Sequence, residues 1–154
     1  METLQKFDEL DKKILEELQR GGRTNVLGLA KKWKIPQATL YLRIKRLEKR
    51  GVIKGYTALL DRQAVGLDVT AVVEVVASTQ ANWDELNKRM AENPNVQALY
   101  SVTGNVDGVA VVVARNMREL NDTIMKIRGI PGIMATRTKA VLKVVKESGA
   151  LPIA

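Results

Sequence analysis

Residues 23–54 read RTNVLGLAKKWKIPQATLYLRIKRLEKRGVIK, with ten Lys/Arg and a single acid, Glu48. Apolar residues fall into two helical runs separated by Lys34-Ile35-Pro36. The first, capped by Thr24 or Asn25, puts Val26, Leu29, Ala30 and Trp33 on one face. Pro36 suits the opening turn of a second helix, where a missing N–H costs nothing. That helix runs from about Gln37 to Arg50 and is stopped by Gly51. Leu40, Ile44 and Leu47, spaced four and three apart, form its inward stripe. At about 100° per residue the opposite face is Ala38, Leu42, Lys45 and Lys49, flanked by Thr39 and Arg46. Arg43 and Arg50 border the buried stripe. Two short helices with a tight break, the second one basic, are the pattern of a helix-turn-helix reader of duplex DNA.

The expected contacts follow from that wheel. A major groove admits one helix, so outward side chains meet base edges and lateral ones meet the phosphate walls. Ala38, Thr39, Leu42 and Arg46 are expected at base edges, the apolar pair against thymine methyls. Lys31, Lys32, Arg43, Lys45, Lys49 and Arg50 are expected on phosphates, and Gln37 joins the DNA-binding set. A solvated lysine-rich helix is the plain alternative. Against it stand the outward Leu42 and the uneven charge: residues 1–66 hold fifteen Lys/Arg against eight Asp/Glu, a net +7, whereas residues 67–154 hold ten against nine, a net +1.

Upstream, Asp8 caps a first helix bearing Leu10, Ile14, Leu15 and Leu18, ended by Gly21-Gly22. Downstream, Val52–Leu60 is read as a strand, which would make the module winged, and residues 61–67 (DRQAVGL) as a linker. A different rhythm follows. Val69, Ala71, Val73, Val75 and Ala77 alternate as one face of a strand. Asn82 opens a helix buried through Trp83, Leu86 and Met90, and Asn93-Pro94-Asn95 closes it. Val96–Thr103 and Val109–Ala114 are strands about a tight turn at 104–107. Asn116 with Glu119 resembles a capping box for a helix carrying Met117, Leu120, Ile124 and Ile127. Gly129 and Pro131 stop it, and Met134–Val145 is the last strand. The order is βαββαβ, the ferredoxin-like arrangement.

The expected protein is therefore α+β: an N-terminal (winged) helix-turn-helix domain over residues 1–60, a linker over 61–67, a ferredoxin-like domain over 68–146 and a loose tail over 147–154. The apolar outer sheet face points to pairing with another sheet, hence a homodimer. The 154-residue chain has no cysteine and no histidine, which removes disulfides, thiolate metal sites and the commonest general base. Carboxylates are scattered or sit in first helical turns, and no phosphate loop or nucleophile constellation appears. No enzyme and no metal or cofactor is expected. No apolar run reaches membrane-span length, and METLQKFDELDKK lacks a secretory apolar core, so a cytoplasmic protein without a membrane partner is expected.

The chain also resembles the Lrp/AsnC, or feast/famine, transcription regulators. The matching residues are Leu10-Asp11-x-x-Ile14-Leu15, Gly22-Arg23, Leu29-Ala30, Arg43-Ile44-Lys45-Arg46-Leu47-Glu48 and Gly51-Val52-Ile53-Lys54-Gly55-Tyr56. They continue with Val102-Thr103-Gly104-x-x-Asp107, Pro131-Gly132-Ile133 and Thr136-x-Thr138 before Leu142-Lys143. The resemblance implies an effector-sensing and assembly role for the C-terminal domain. Members form dimers through paired sheets, often octamers, and many bind a free amino acid between subunits. It places the effector at Thr103, Gly104, Asp107, Thr136 and Thr138: backbone N–H groups at the glycine turn for a carboxylate, the acid for an α-ammonium, the hydroxyls for neutral hydrogen bonds. A plain hairpin turn explains Gly104–Asp107 equally well. Where the family has Gly and a capping Ser before the reading helix, this chain has Lys34 and Pro36, and Val106 and Gly108 flank the aspartate in place of bulkier residues.

The resulting expectation is a sequence-specific DNA-binding regulator modulated by an amino acid. An effector-independent architectural DNA-binding protein is the alternative. A metabolic enzyme or its regulatory subunit leaves the Arg23–Lys54 charge unexplained. RNA binding through the sheet lacks stacking aromatics on the central strands.

Overall fold

The computed structural model describes residues 7–21 and 25–153. They form two units, one ending at Leu59 and rejoined by the segment from Lys146, the other spanning Leu60–Val145.

Three helices build the first unit: α1 (Glu9–Arg20), α2 (Val26–Trp33) and α3 (Gln37–Lys49). Asp8 caps α1 by accepting from Asp11 N at 2.8 Å, and Asn25 caps α2 by accepting from Gly28 N at 3.1 Å. The alternative cap Thr24, like Gly22 and Arg23, lies outside the described residues. Ile14, Leu15, Leu29, Ala30, Leu40, Ile44 and Leu47 close one core, with Trp33 packed against its side. Each fully buried Ile or Leu stabilises such a core by about 1.5–3 kcal/mol. At the end of α2, Lys34 takes a left-handed conformation (φ 55°, ψ 42°). Its N–H and that of Ile35 turn back onto the carbonyls of Lys31 and Ala30. The turn forms without glycine, and α3 opens on Pro36 with no side-chain cap.

Two expectations for this unit need correction. Val52–Leu60 is not a strand. Val52 and Ile53 tuck beneath the helical core, and Val52 N donates to Leu47 O at 3.0 Å. Residues 54–60 run on without a ladder partner among the described residues, so there is no wing strand. Extended backbone becomes a strand only when a neighbour takes its hydrogen bonds. Nor is the C-terminal segment loose. Gln19 exchanges two hydrogen bonds with the backbone of Leu151 (3.1 and 2.5 Å), and Ile153 packs on the three-helix core.

The second unit is an antiparallel sheet of β1 (Val69–Ala77), β2 (Val96–Ser101), β3 (Gly108–Ala114) and β4 (Ile133–Ala140) in the order β2-β3-β1-β4. Helices α4 (Trp83–Ala91) and α5 (Met117–Arg128) cover one face. Ala71, Val73 and Val75 of β1 and Ala110, Val112 and Ala114 of β3 meet Leu86, Met90, Leu120 and Ile127 there. The most apolar strands are central, because only there are both edges and a face removed from water. Asn82 and Asn116 cap their helices as expected, though Glu119 returns to the N–H of Arg115 rather than to that of the cap. The second strand stops at Ser101 and the last at Ala140; Val141 N still donates to Thr70 O (2.8 Å), and residues 142–145 of the expected strand lie beyond the ladder. Residues 61–67 are more ordered than a linker. Asp61 caps a single turn by accepting from Ala64 N, and Arg62 reaches Thr70 and Gln97.

Candidate nucleic-acid interface and effector loop

The buried stripe of α3 fixes what its other faces present. Gln37, Ala38, Thr39, Leu42, Lys45, Arg46, Lys49 and Arg50 are exposed, as are Lys31 and Lys32 in the last turn of α2, where the helix dipole favours cations. Leu42 is 67% exposed, within a polar and cationic surround. Only Arg43 is half-buried. The reading face predicted from spacing therefore exists as a surface of the three-helix unit.

The electrostatics on that surface are less simple than the count of cations. Asp11 of α1 is 1% exposed, and its carboxylate accepts from Arg46 Nη2 (2.8 and 3.2 Å) and Arg43 Nη1 (3.1 Å). Arg43 also pairs with Asp8. The Asp11 N–H and then Arg43 hold the Asp8 carboxyl below its usual range, while Asp8 and then Asp11 raise the Arg43 guanidinium. On the far flank Glu48 accepts from Lys45 Nζ (2.8 Å) and Tyr56 Oη (2.9 Å). Lys45 first and Tyr56 second lower Glu48, and Glu48 in turn raises Lys45. Partial burial and the bond to Glu48 push the Tyr56 phenol up to about 12. Lys32 lies 3.8 Å from Glu17, and Arg50 stacks over Phe7 at 5.9 Å. Lys31 and Lys49 have no acidic partner among the described residues.

Sequence reasoning missed these acids. The available signal was a matched spacing: Asp8 and Asp11 lie three apart at the start of α1, as Arg43 and Arg46 do on α3.

In the second unit the loop from Val102 to Asp107 joins β2 and β3 at the end of β1. Gly104 adopts φ +122°, a region costly for any side chain. Asp107 is held on three sides. Its N–H donates to Val75 O (2.9 Å), its carbonyl accepts from Val102 N (3.1 Å), and Oδ2 accepts from Ala77 N (2.8 Å). Thr103, Gly104 and Asp107 are exposed. Thr136 sits opposite Val75, which faces Gly108 on its other side, so Thr136 and the start of β3 lie roughly 10 Å apart across β1. Thr138, opposite Val73, is two residues farther along. The fold thus gathers the loop and Thr136 at one end of the sheet and leaves Thr138 toward its middle. Gly108 has its own reason: a Cβ there would lie 2.7 Å from Trp83 Cζ2, and Trp83 is pinned by a bond from Nε1 to Ser101 Oγ (2.8 Å).

Among the described residues no helix is long and apolar enough to cross a membrane, and no cluster of acidic side chains is arranged to hold a metal. Residues 7–54 match the family model for winged helix-turn-helix DNA binding, and residues 70–151 match the Lrp/AsnC ligand-binding domain. The chain is 35% identical to the HTH-type transcriptional regulator FL11 of Pyrococcus horikoshii over 147 residues, covering 96% of this chain and 97% of that one. It is 36% identical to the regulator LysM of Sulfurisphaera tokodaii over 137 residues, covering 89% and 96%. Similar solved structures include a Neisseria meningitidis transcriptional regulator in complex with L-Met, with TM-score 0.89 at 25% identity over 96% of this chain and 97% of that one. Another is a feast or famine regulatory protein from Mycobacterium tuberculosis complexed with L-methionine, with TM-score 0.84 at 28% identity over 91% and 95%. Fold order, helix-turn-helix surface and both domain matches agree, and the chain belongs to the Lrp/AsnC family of non-enzymatic, DNA-binding transcription regulators with a C-terminal ligand-binding domain.

Proposed function

We propose that this protein is a sequence-specific regulator whose α3 enters the major groove and whose affinity for DNA responds to an amino acid bound at the 102–107 loop. The observation that carries the reading is the outward face of α3, where Leu42 lies uncovered among cations. A leucine 67% exposed on that face fits a thymine methyl. Ala38, Thr39 and Arg46 share the base-reading role. Gln37, Lys31, Lys32, Arg43, Lys45, Lys49 and Arg50 complete the contact set, with Lys31 and Lys49, which have no acidic partner among the described residues, foremost on phosphates.

The effector reading rests on Asp107. With Oδ2 committed to Ala77 N, Oδ1 has no donor among the described residues and suits an α-ammonium group. Exposed N–H groups about Gly104 suit the carboxylate, and Thr103, Thr136 and Thr138 contribute hydroxyls. L-Methionine on two structural relatives makes it the first amino acid to test.

Assembly follows from the uncovered sheet face. Val72, Val76, Val109 and Val111 are only partly buried there and Tyr100 is exposed, and a second copy would bury them in a homodimer, with an octamer as the higher assembly. Two reading helices then address half-sites about one helical turn apart.

Selection from a randomised duplex library, followed by titration of the enriched and a scrambled duplex across a salt series, tests the DNA reading. The expected result is a pseudo-palindromic motif bound roughly 10³-fold or more tighter than the scramble. A ratio near unity would leave an architectural DNA-coating protein. Calorimetry against the amino acids then asks whether the effector site exists.

A further inference from the structure

Resting on the proposed groove-reading role of α3, we propose that Asp11 is a positioning residue for base recognition: it buttresses Arg46 so that the free edge of its guanidinium is presented to a base, while cancelling the charge that would draw it to phosphate. Three features carry this. Asp11 is 1% exposed, yet Arg46 keeps 49% of its side chain exposed, so the pair is buried at the acid and open at the base. Both Asp11 oxygens take Arg46 through Nη2 alone, at 2.8 and 3.2 Å. Nε and Nη1 have no acceptor among the described residues; each lies beside one of the two Nη2 hydrogens in the planar group, so a two-donor edge stays open on the side of the Nη2 hydrogen that Asp11 does not take. Arg43, anchored a second time by Asp8, occupies the remaining side of Asp11. The buttressed fork is thereby fixed from both α1 and α3.

The charge argument separates this role from phosphate binding. A guanidinium and the carboxylate it touches together carry little net charge, so Arg46 gains little by displacing counterions. A base edge is uncharged and asks for geometry. The fork's two parallel N–H groups match the O6 and N7 acceptors of guanine, and holding it in advance removes the cost of freezing a long side chain on binding. Arg46 therefore reads one base, expected to be guanine, while Lys31 and Lys49 supply the salt-dependent grip.

Selection from the randomised duplex library, run on the wild type, Asp11→Asn and Arg46→Lys, tests the proposal. With the wild type, one guanine in each half-site should be strongly enriched. Asp11→Asn should flatten that position about ten-fold or more and leave the others. Because Arg46 loses its neutralising partner, the slope of log K against log salt should steepen by roughly one unit per subunit bound. Arg46→Lys, which keeps the charge and loses the fork, should flatten the same position, and the double variant should do no more than either single one. A mere structural ion pair would weaken all positions together through stability and leave the slope alone. If Asp11→Asn fails to fold by circular dichroism, Arg46→Lys decides: an unchanged preference at every position overturns the proposal. A wild type that selects no motif sinks the groove-reading role and the buttress with it. A wild-type motif that both variants retain sinks the buttress alone.

Discussion

Replacing Lys34 with glycine should stabilise the three-helix unit. Lys34 holds φ 55° and ψ 42° because the end of α2 turns there, with its own N–H and that of Ile35 closed on Lys31 O and Ala30 O at 3.3 and 3.0 Å. A residue with a Cβ is about 1–2 kcal/mol less stable in that region than in the right-handed one. Glycine relieves this but gains about 0.4–1 kcal/mol of freedom in the unfolded chain. The Lys34 side chain is exposed and has no acidic partner among the described residues, so no contact is lost. The net is a gain of about 0.5–1 kcal/mol, or roughly two- to five-fold slower exchange of core amides. Hydrogen-exchange mass spectrometry on α2 and α3 peptides measures this within the unit concerned, leaving peptides of the sheet unit as an internal control. Lys34→Asn, which tolerates the left-handed region, should fall between the two. Unchanged or faster exchange in the glycine variant, with the circular dichroism spectrum intact, would refute the reasoning.

Gly108→Ala should destabilise the sheet unit by about 1–3 kcal/mol, since the new methyl meets the Trp83 ring; a urea midpoint equal to that of the wild type speaks against the contact. Asp107→Ala should abolish the response of DNA affinity to an amino acid while leaving binding without it intact, and a calorimetric titration with normal ligand affinity contradicts the site. In a spectrophotometric titration, one of the three tyrosines should ionise near pH 12 and revert toward 10 in Glu48→Gln. The sign is that of a raised pKa: the Tyr56 contribution is full below the unfolded value of 10.0 and lost as pH rises through about 12. Asp8 works in the opposite direction. Its folded pKa lies below 3.8, so its contribution is present above pH 3.8 and disappears as pH falls through the depressed value; Asp8→Asn should shift the acid unfolding limb, and an unmoved limb denies the pairing with Arg43.

The sequence carried what depends on periodicity. The 3.6-residue stripe of Leu40, Ile44 and Leu47 located α3 and hence the outward set from Ala38 to Lys49. The alternation from Val69 to Ala77 located the central strand. Caps at Asp8, Asn82 and Asn116 were legible because the chemistry is local. What was hidden depends on distant partners. The Asp11–Arg46 pair spans thirty-five positions, and nothing local distinguishes a buried acid in the first turn of α1 from an ordinary dipole-complementing one. Val52–Leu60 has strand-forming residues but no ladder partner among the described residues, and the docking of Ile153 turns on a surface no spacing rule describes. For the 102–107 loop, the order of residues showed the turn at Gly104. Only the sheet register separates Thr136, near Asp107, from Thr138.

The return of residues 146–153 to α1 makes the four-stranded unit a cassette spliced into the DNA-reading unit rather than a module hung from its end. A fragment cut after Leu59 would lack Ile153 and the partner of Gln19, so it would melt earlier than the same helices in the intact chain. For anyone building a reporter, a label attached at Ile153 would sit on the three-helix core of the DNA-reading unit rather than on the sheet unit.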